Sequence, residues 1–177
     1  MIENKAFWGL IGVVVGFFLN VAHSYIMKRF HICQLKRALR DECRSLLTQI
    51  PQLIAIFKQC TDNLSKGRVL PGTAVHSLST VYRSTISEIY PYLSLKERNL
   101  LHVVYERLRV GDEILENYVS ILSRELQENL INDPIQGWII RMKEQVESYG
   151  IITNLLKSYL RLEPIDVFNI DNQRLFN

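Results

Sequence analysis

The chain has 177 residues, a length that suits one modest domain with an additional segment but not two independent cores. Hydrophobic residues make up 47% and charged residues 22% of the sequence, which excludes an intrinsically disordered chain. A net charge of +3 does not by itself indicate nucleic-acid binding, and three cysteines without Cys-x-x-Cys spacing argue against a disulfide framework or a zinc site. We expect neither a metal nor a cofactor.

The first predicted element is a membrane span. Residues 6–27 include no Asp, Glu, Lys or Arg, and a helix of this length crosses the roughly 30 Å hydrocarbon core of a bilayer. A cleaved signal peptide is the alternative, but the weakly charged start, the long apolar run and the lack of small residues at a cleavage site disfavour it. Residues 1–27 are therefore predicted to be an uncleaved anchor.

Charges on either side of the span predict its orientation. Five basic residues follow it closely, against Lys5 alone before it; they are Lys28, Arg29, Lys36, Arg37 and Arg40. By the positive-inside rule, the N-terminus lies outside and residues 28–177 lie in the cytoplasm. The same basic run could bind RNA, but below a membrane helix and without interleaved aromatic residues it favours anionic lipid headgroups.

The span has two different faces when it is projected as a helix at about 100° per residue. One face, here called the glycine face, groups small and polar residues within about 80°: Gly9, Gly12, Gly16, Asn20 and His23, with Ser24 adjacent. The opposite side, here called the lipid face, is apolar and aromatic: Phe7, Ile11, Val14, Phe18 and Tyr25.

The composition of the glycine face predicts association between helices. Glycines let two backbones approach closely inside a bilayer, and an amide or imidazole would be costly against lipid. We therefore predict that Gly9, Gly12 and Gly16 pack between copies of the chain. Asn20, His23, Ser24 and Lys28 are predicted to line a pore between those copies.

Four helices are predicted in the cytoplasmic part, residues 28–162. In the first, apolar residues recur at steps of three and four, with Pro51 expected to kink or divide the helix: Leu39, Cys43, Leu46, Ile50, Leu53, Phe57, Cys60 and Leu64. After a loop over 65–73, Thr73 is expected to cap a second helix, which ends before Pro91. Its inward residues are predicted to be Val75, Leu78, Tyr82, Ile86 and Ile89.

Ser94 and Glu97 form a capping box for the third helix, and Pro134 suits the first position of the fourth. The third seam is Leu101, Val104, Leu108, Gly111, Leu115, Tyr118, Leu122 and Leu126. The fourth is Ile135, Ile139, Met142, Val146, Tyr149, Thr153, Leu156 and Leu160, where Gly137 and Gly150 could loosen the helix. The predicted fold is all-α: a membrane helix continuing into a bundle of four long antiparallel helices, followed by a tail over 163–177.

Signals for catalysis are sparse, since the sequence has no phosphate-binding glycine loop, no His-Glu-x-x-His and no Gly-x-Ser-x-Gly. One pair stands out among the four histidines, which include His31 and His76: Arg98 and His102 lie four residues apart on one helical face. An arginine can hold a phosphate while an imidazole moves a proton. An ordinary pair of surface residues is the alternative interpretation.

One span, a compact helical domain and this Arg–His pair together resemble the small membrane accessory proteins of bacterial type VI-B CRISPR systems, which carry a divergent HEPN-like domain. The HEPN ribonuclease motif separates its Arg from its His by more residues than lie between Arg98 and His102. The resemblance therefore implies a homo-oligomeric pore in the bacterial inner membrane rather than a nuclease. Such a pore would depolarise the cell and enhance antiphage defence directed by an RNA-guided effector.

These observations leave three hypotheses for the function of the chain. The first is the pore, with the lipid bilayer and further copies of the chain as partners, and without direct nucleic-acid binding. The second is a membrane-anchored HEPN-type ribonuclease with Arg98 and His102 as its catalytic pair. The third is a non-catalytic anchored adaptor.

Overall fold

A computed structural model describes residues 3–68, 77, 79–127 and 133–161, with the side chains of 3–6, 119–127 and 133–134 left aside. Within these ranges the chain is all-helical and has no strand. The helices are α1 (Glu3–Ser65), α2 (Thr80–Ile89), α3 (Leu95–Gln127) and α4 (Asp133–Arg161), with a short 3₁₀ helix (Tyr90–Tyr92) after α2. The predicted tail over 163–177 lies outside the described residues.

Helix α1 runs for 63 residues and includes both the predicted span and the first helix of the cytoplasmic part. Its continuity was predicted and is confirmed. Pro51 lies inside the helix and does not divide it, because a proline removes only one hydrogen bond while the flanking turns remain anchored by buried side chains. Within the described residues, α1 is the one helix long and apolar enough to cross a membrane.

The described part of the chain forms two units, one ending at Ala38 and one beginning at Leu39. In the second unit, the predicted α1 seam is confirmed throughout, since each of its eight residues is at most 4% exposed. Two of these side chains show which helices the seam meets. The thiol of Cys43 lies near Tyr105 of α3, and Phe57 meets Tyr149 of α4 edge to face.

Helix α2 is shorter than predicted. It begins at Thr80 rather than Thr73 and has 10 residues, so the bundle has three long helices and one short one. Ile89 is buried as predicted, whereas Tyr82 and Ile86 are half-buried. The predicted positions Thr73, Val75, His76 and Leu78 lie outside the described residues.

Helix α3 begins at the predicted capping box. The amide of Ser94 donates to Glu97 at 2.8 Å, and the amide of Glu97 donates back to the Ser94 hydroxyl at 3.2 Å. The α3 seam is buried as predicted from Leu101 to Tyr118. The side chains of Leu122 and Leu126 are outside the described set.

Helix α4 packs on α3 with a register rotated slightly from the predicted one. Half of the predicted seam is buried, and Ile135, Val146, Thr153 and Leu160 are half-buried. The centre of the buried face instead includes five residues that the prediction left out: Trp138, Gln145, Ser148, Ile152 and Tyr159. Gly137 and Gly150 do not interrupt the helix.

Candidate functional site

The glycine face of α1 is open within the described chain. Every residue from Phe7 to Lys28 is exposed, and a Cβ atom added at Gly9, Gly12 or Gly16 would meet no other atom within 4 Å. The helix therefore offers a strip on which another backbone can lie closely without displacing any side chain described here.

The polar residues predicted for the pore follow the glycines along the same helix. Asn20, His23, Ser24 and Lys28 are all exposed. Because they belong to one uninterrupted helix, the structure keeps them in the register that the sequence spacing gives. The arrangement offers an amide, an imidazole and a hydroxyl to a neighbouring helix or to water.

The residues of the lipid face are exposed as well. Phe7, Phe18 and Tyr25 are at least 50% exposed, and Arg29 lies over the Tyr25 ring at 4.7 Å from its centroid. An aromatic side chain followed one turn later by a cation is typical of a helix that leaves the hydrocarbon for the headgroup region.

Arg98 has a structural position at the start of α3. Its Nε donates to the Leu93 carbonyl at 3.0 Å and its Nη2 to the Pro91 carbonyl at 3.4 Å, while the guanidinium lies 4.5 Å from the centroid of the Tyr90 ring. The side chain thus ties the 3₁₀ helix to α3. A guanidinium used in this way has fewer donors left for a phosphate.

His102 lies one turn beyond Arg98 on α3 and is exposed. The structure keeps the two residues near each other only through their spacing in the helix. In the described ranges, no three His, Cys, Asp or Glu side chains are grouped so that they could hold a metal ion.

A buried carboxylate, which the sequence reasoning did not single out, holds the start of α2. Glu42 of α1 is 8% exposed and accepts hydrogen bonds from the amides of Val81 at 2.6 Å and Tyr82 at 3.0 Å. It also accepts one from the Tyr105 hydroxyl of α3 at 2.6 Å. The first amides of a helix carry partial positive charge, so a carboxylate there is favourable.

Two further groups extend this cluster, here called the Glu42 cluster. The Tyr82 and Tyr105 rings stack with centroids 3.7 Å apart. The Cys43 thiol lies 3.9 Å from the Tyr105 hydroxyl, and since the hydroxyl proton is used on Glu42, the thiol is left to donate to the hydroxyl oxygen.

Burial decides how the cluster titrates. Removal from water raises the pKa of the Cys43 thiol to about 12, and it also raises the pKa of Tyr105 well above its usual range, with nearby Cys43 and Glu42 adding to the effect. Both groups therefore stay protonated at neutral pH. The cluster is suited to holding α2 in place, and its thiol is not a nucleophile under these conditions.

A second buried carboxylate holds the chain just before α2. Asp112 of α3 is 8% exposed and accepts from the amide of Ser77 at 3.0 Å and from its hydroxyl at 2.9 Å. Glu42 and Asp112 thus fix the segment from Ser77 to Tyr82 from two sides. Position beside a seam residue does not single out either carboxylate, because Glu116 stands beside the seam residue Leu115 and is exposed.

Comparison of the chain with protein-family models, with curated proteins and with solved structures finds no match. Function is therefore inferred from the chain itself.

Proposed function

We propose that this chain is a single-span protein of the bacterial inner membrane whose N-terminal helices associate into a homo-oligomeric pore. In this proposal residues 28–162 form a HEPN-like cytoplasmic domain, and opening of the pore depolarises the cell and enhances antiphage defence directed by an RNA-guided CRISPR effector. The CRISPR link comes from the resemblance of the architecture. The pore itself is inferred from α1.

The glycine face is the observation that carries the proposal. Small and polar residues share one side of an apolar helix, and no described side chain covers Gly9, Gly12 or Gly16. Inside a bilayer, close backbone contact and dispersion forces drive helix association, since lipid is as apolar as the helix. A second copy of the same helix meets these requirements without any other partner.

The polar residues favour a water-filled centre over a dry contact. A hydrogen bond within the membrane averages only about 0.6 kcal/mol, which is a modest gain for placing both Asn20 and His23 there. Water in a lumen solvates an amide and an imidazole at little cost. Lys28 at the cytoplasmic mouth would then favour the passage of anions.

Particle mass in detergent tests the assembly. Gly12→Leu combined with Gly16→Leu adds bulk where backbones must meet, and overpacking typically costs about 1–3 kcal/mol per site. We expect a smaller particle that still inserts into membranes. Val14→Leu, which introduces a leucine on the lipid face and adds only one methylene, is the control for the new side chain and should leave the mass unchanged. Equal masses for wild type and the glycine variant would contradict assembly through this face.

Conductance tests the pore. Wild-type protein in liposomes should release a small anionic dye, and Asn20→Leu combined with His23→Leu should reduce the release by drying the lumen. Val14→Leu should conduct like wild type. Equal release by the polar variant, with its mass unchanged, would place the pore elsewhere. Absence of conductance in every protein would favour the anchored adaptor.

The same proposal assigns no ribonuclease activity to Arg98 and His102. The Arg98 guanidinium donates hydrogen bonds to the Leu93 and Pro91 carbonyls. These bonds account for the position of the side chain, and no RNA substrate is needed to explain it. An acid–base histidine contributes roughly 10²- to 10⁴-fold in rate. Specific RNA cleavage by the wild type that is lost in His102→Ala would therefore refute this part of the proposal and favour the ribonuclease hypothesis.

A further inference from the structure

Ile32 is the one buried residue of α1 between the predicted span and Leu39. It is 1% exposed, whereas every residue from Phe7 to Lys28 on the same helix is exposed. Arg29 and Lys36, three and four residues away from it, are half-buried and have interaction partners. A side chain on a helix without neighbours stays exposed, as the span shows, so another segment of this chain lies over Ile32.

The covered side of this stretch is opposite the glycine face. At about 100° per residue, Arg29, Ile32 and Lys36 fall within one sector of about 60°. Phe30 and Gln34 project from the other side, and both are exposed. The segment that covers Ile32 and a helix packed on the glycines therefore occupy different sides of α1.

The covering segment belongs to a part of the chain outside the described ranges. Ile32 lies in the unit that ends at Ala38, and α1 is the only described element of that unit. The longest range outside the description is 162–177, which follows directly on α4. This range is here called the C-terminal segment.

Helix α4 directs the C-terminal segment towards Ile32. Phe57 of α1 meets Tyr149 of α4, and further along Arg40 of α1 lies over the Tyr159 ring at 5.4 Å from its centroid. The two helices are therefore antiparallel, and α4 ends on the side of Arg40 that leads to Ile32. Ile32 is eight residues before Arg40, which is about 12 Å of helix and within reach of about four extended residues.

The C-terminal segment matches the covered side of α1 in charge and polarity. Residues 28–40 include five Lys or Arg and no Asp or Glu. The C-terminal segment carries Glu163, Asp166 and Asp171 against Arg174 alone, and seven of its sixteen residues are apolar. Acidic side chains can pair with the cations of α1 while apolar ones remove Ile32 from water.

We propose that the C-terminal segment docks on the side of α1 that carries Arg29, Ile32 and Lys36. Its acidic residues lie beside the two cations, and its apolar residues lie over Ile32. The contact ties the end of the bundle to the helix just after the span, and it occupies part of the basic run within the chain itself. It does not depend on the pore or on the association of α1.

A zero-length carbodiimide cross-link on the full-length protein in detergent tests the proposal, because it joins a lysine amine only to a carboxylate in direct contact. Lys36 is the only lysine in residues 29–57, so its cross-linked peptides are identified by mass. We expect Lys36 to be joined to Glu163, Asp166 or Asp171. Lys36→Arg keeps the charge and should remove these cross-links alone. A mixture of ordinary and isotope-labelled chains should give cross-links within single chains only.

Thiol labelling measures the cover at Ile32 itself. In Ile32→Cys combined with Cys33→Ser, labelling should be slow, whereas the exposed Cys33 of the wild type, at the same depth in the micelle, should react fast. Asp166→Lys with Asp171→Lys places cations beside cations and should raise the labelling rate at position 32 about tenfold or more. Adding Lys36→Glu to that variant should reverse part of the rise.

Three results would overturn the proposal. One is a Lys36 that is joined to an acidic residue of the bundle, or to none. Another is a cross-link between chains of different isotope content, which would assign the contact to a second copy. The third is a labelling rate at position 32 that the charge reversal leaves unchanged, or that rises equally in Glu144→Lys with Glu147→Lys, the control for net charge at two exposed positions of α4.

Discussion

Gly111 is the position where the packing of the bundle can be tested by a single methyl group. It lies in α3 facing α4, where a Cβ atom would come within 2.5 Å of the Tyr149 hydroxyl oxygen and 2.7 Å of the Gln145 amide nitrogen. Tyr149 is fully buried, and Gln145 is held by its bond to the Arg107 carbonyl at 3.1 Å. Gln145 lines an open cavity between α3 and α4, so its displacement costs mainly the bond to Arg107, whereas the buried Tyr149 ring would have to shift within the core.

Two effects oppose each other in Gly111→Ala. Alanine is favoured over glycine in a helix interior by about 1 kcal/mol. Overpacking a core typically costs about 1–3 kcal/mol, and losing the Gln145 bond as that side chain moves costs about 0.5–1.5 kcal/mol more. The unfavourable effects are larger, so the free energy of unfolding should fall by roughly 1–3 kcal/mol.

The assay is thermal unfolding of the full-length protein in detergent, followed by helical circular dichroism. For a chain of this size, each kcal/mol moves the melting temperature by about 2–4 °C. Gly150→Ala is the matched control, because Gly150 is an exposed residue of α4 whose added Cβ would meet nothing within 4 Å. That variant should be stabilised by up to about 1 kcal/mol.

The opposite signs of the two substitutions make the test decisive. A Gly111→Ala protein that melts at or above the wild-type temperature would show that α3 and α4 do not approach as closely as the distances at Gly111 require. Destabilisation of both variants by the same amount would show that the effect is not one of packing.

Two further predictions concern the Glu42 cluster. Glu42→Gln should lower the free energy of unfolding in denaturant by about 1.5–3 kcal/mol, because an amide has one acceptor oxygen for three donors. The control, Glu113→Gln at an exposed ion pair, should cost less than about 1 kcal/mol. Equal effects of the two substitutions would contradict a buried role for Glu42. Stability should also fall between pH 9 and 12, since burial raises the pKa of Cys43 from 9.0 to about 12 and the folded chain then holds a proton that the unfolded chain has lost. Cys43→Ala should make the measured fall shallower, and an unchanged pH profile would refute this.

The sequence was sufficient to predict those parts of the fold that depend on residues close together in the chain. The α1 seam repeats apolar residues at steps of three and four, and no polar residue within the repeat obscures it. The capping box of α3 depends on Ser94 and Glu97, three residues apart, and both halves are present. Such features need no knowledge of the rest of the fold.

The start of α2 could not be found by a local rule. Thr73 is a good capping residue, but the amides of Val81 and Tyr82 are capped by a carboxylate about 40 positions earlier in the chain. Ser77 is likewise held by Asp112, which is 35 positions later. Long-range hydrogen bonds of this kind leave no periodic pattern in the sequence. The prediction therefore began α2 at Thr73, seven residues before its start in the structure at Thr80.

The register of α4 was missed for a related reason. Gln145 and Ser148 lie in the buried face of α4. A prediction based on hydrophobic periodicity assigns polar residues to the exposed face, so it left both out. Both are compensated by α3: Gln145 donates to the Arg107 carbonyl, and the Arg107 guanidinium donates to the Ser148 hydroxyl at 3.0 Å. A polar residue with its hydrogen bonds satisfied can occupy a core position at little cost.

Apolar side chains could fill the space around Glu42 and give a core of similar stability. They could not accept hydrogen bonds from the amides of Val81 and Tyr82, which would then lose their partners in a half-buried site, at a cost of up to about 1–3 kcal/mol each. Only one residue of α2, Ile89, is buried, so hydrophobic contacts alone fix the position of this helix weakly. The carboxylate therefore determines where α2 begins and how it lies on α1 and α3, a specificity that apolar packing of so short a helix does not provide.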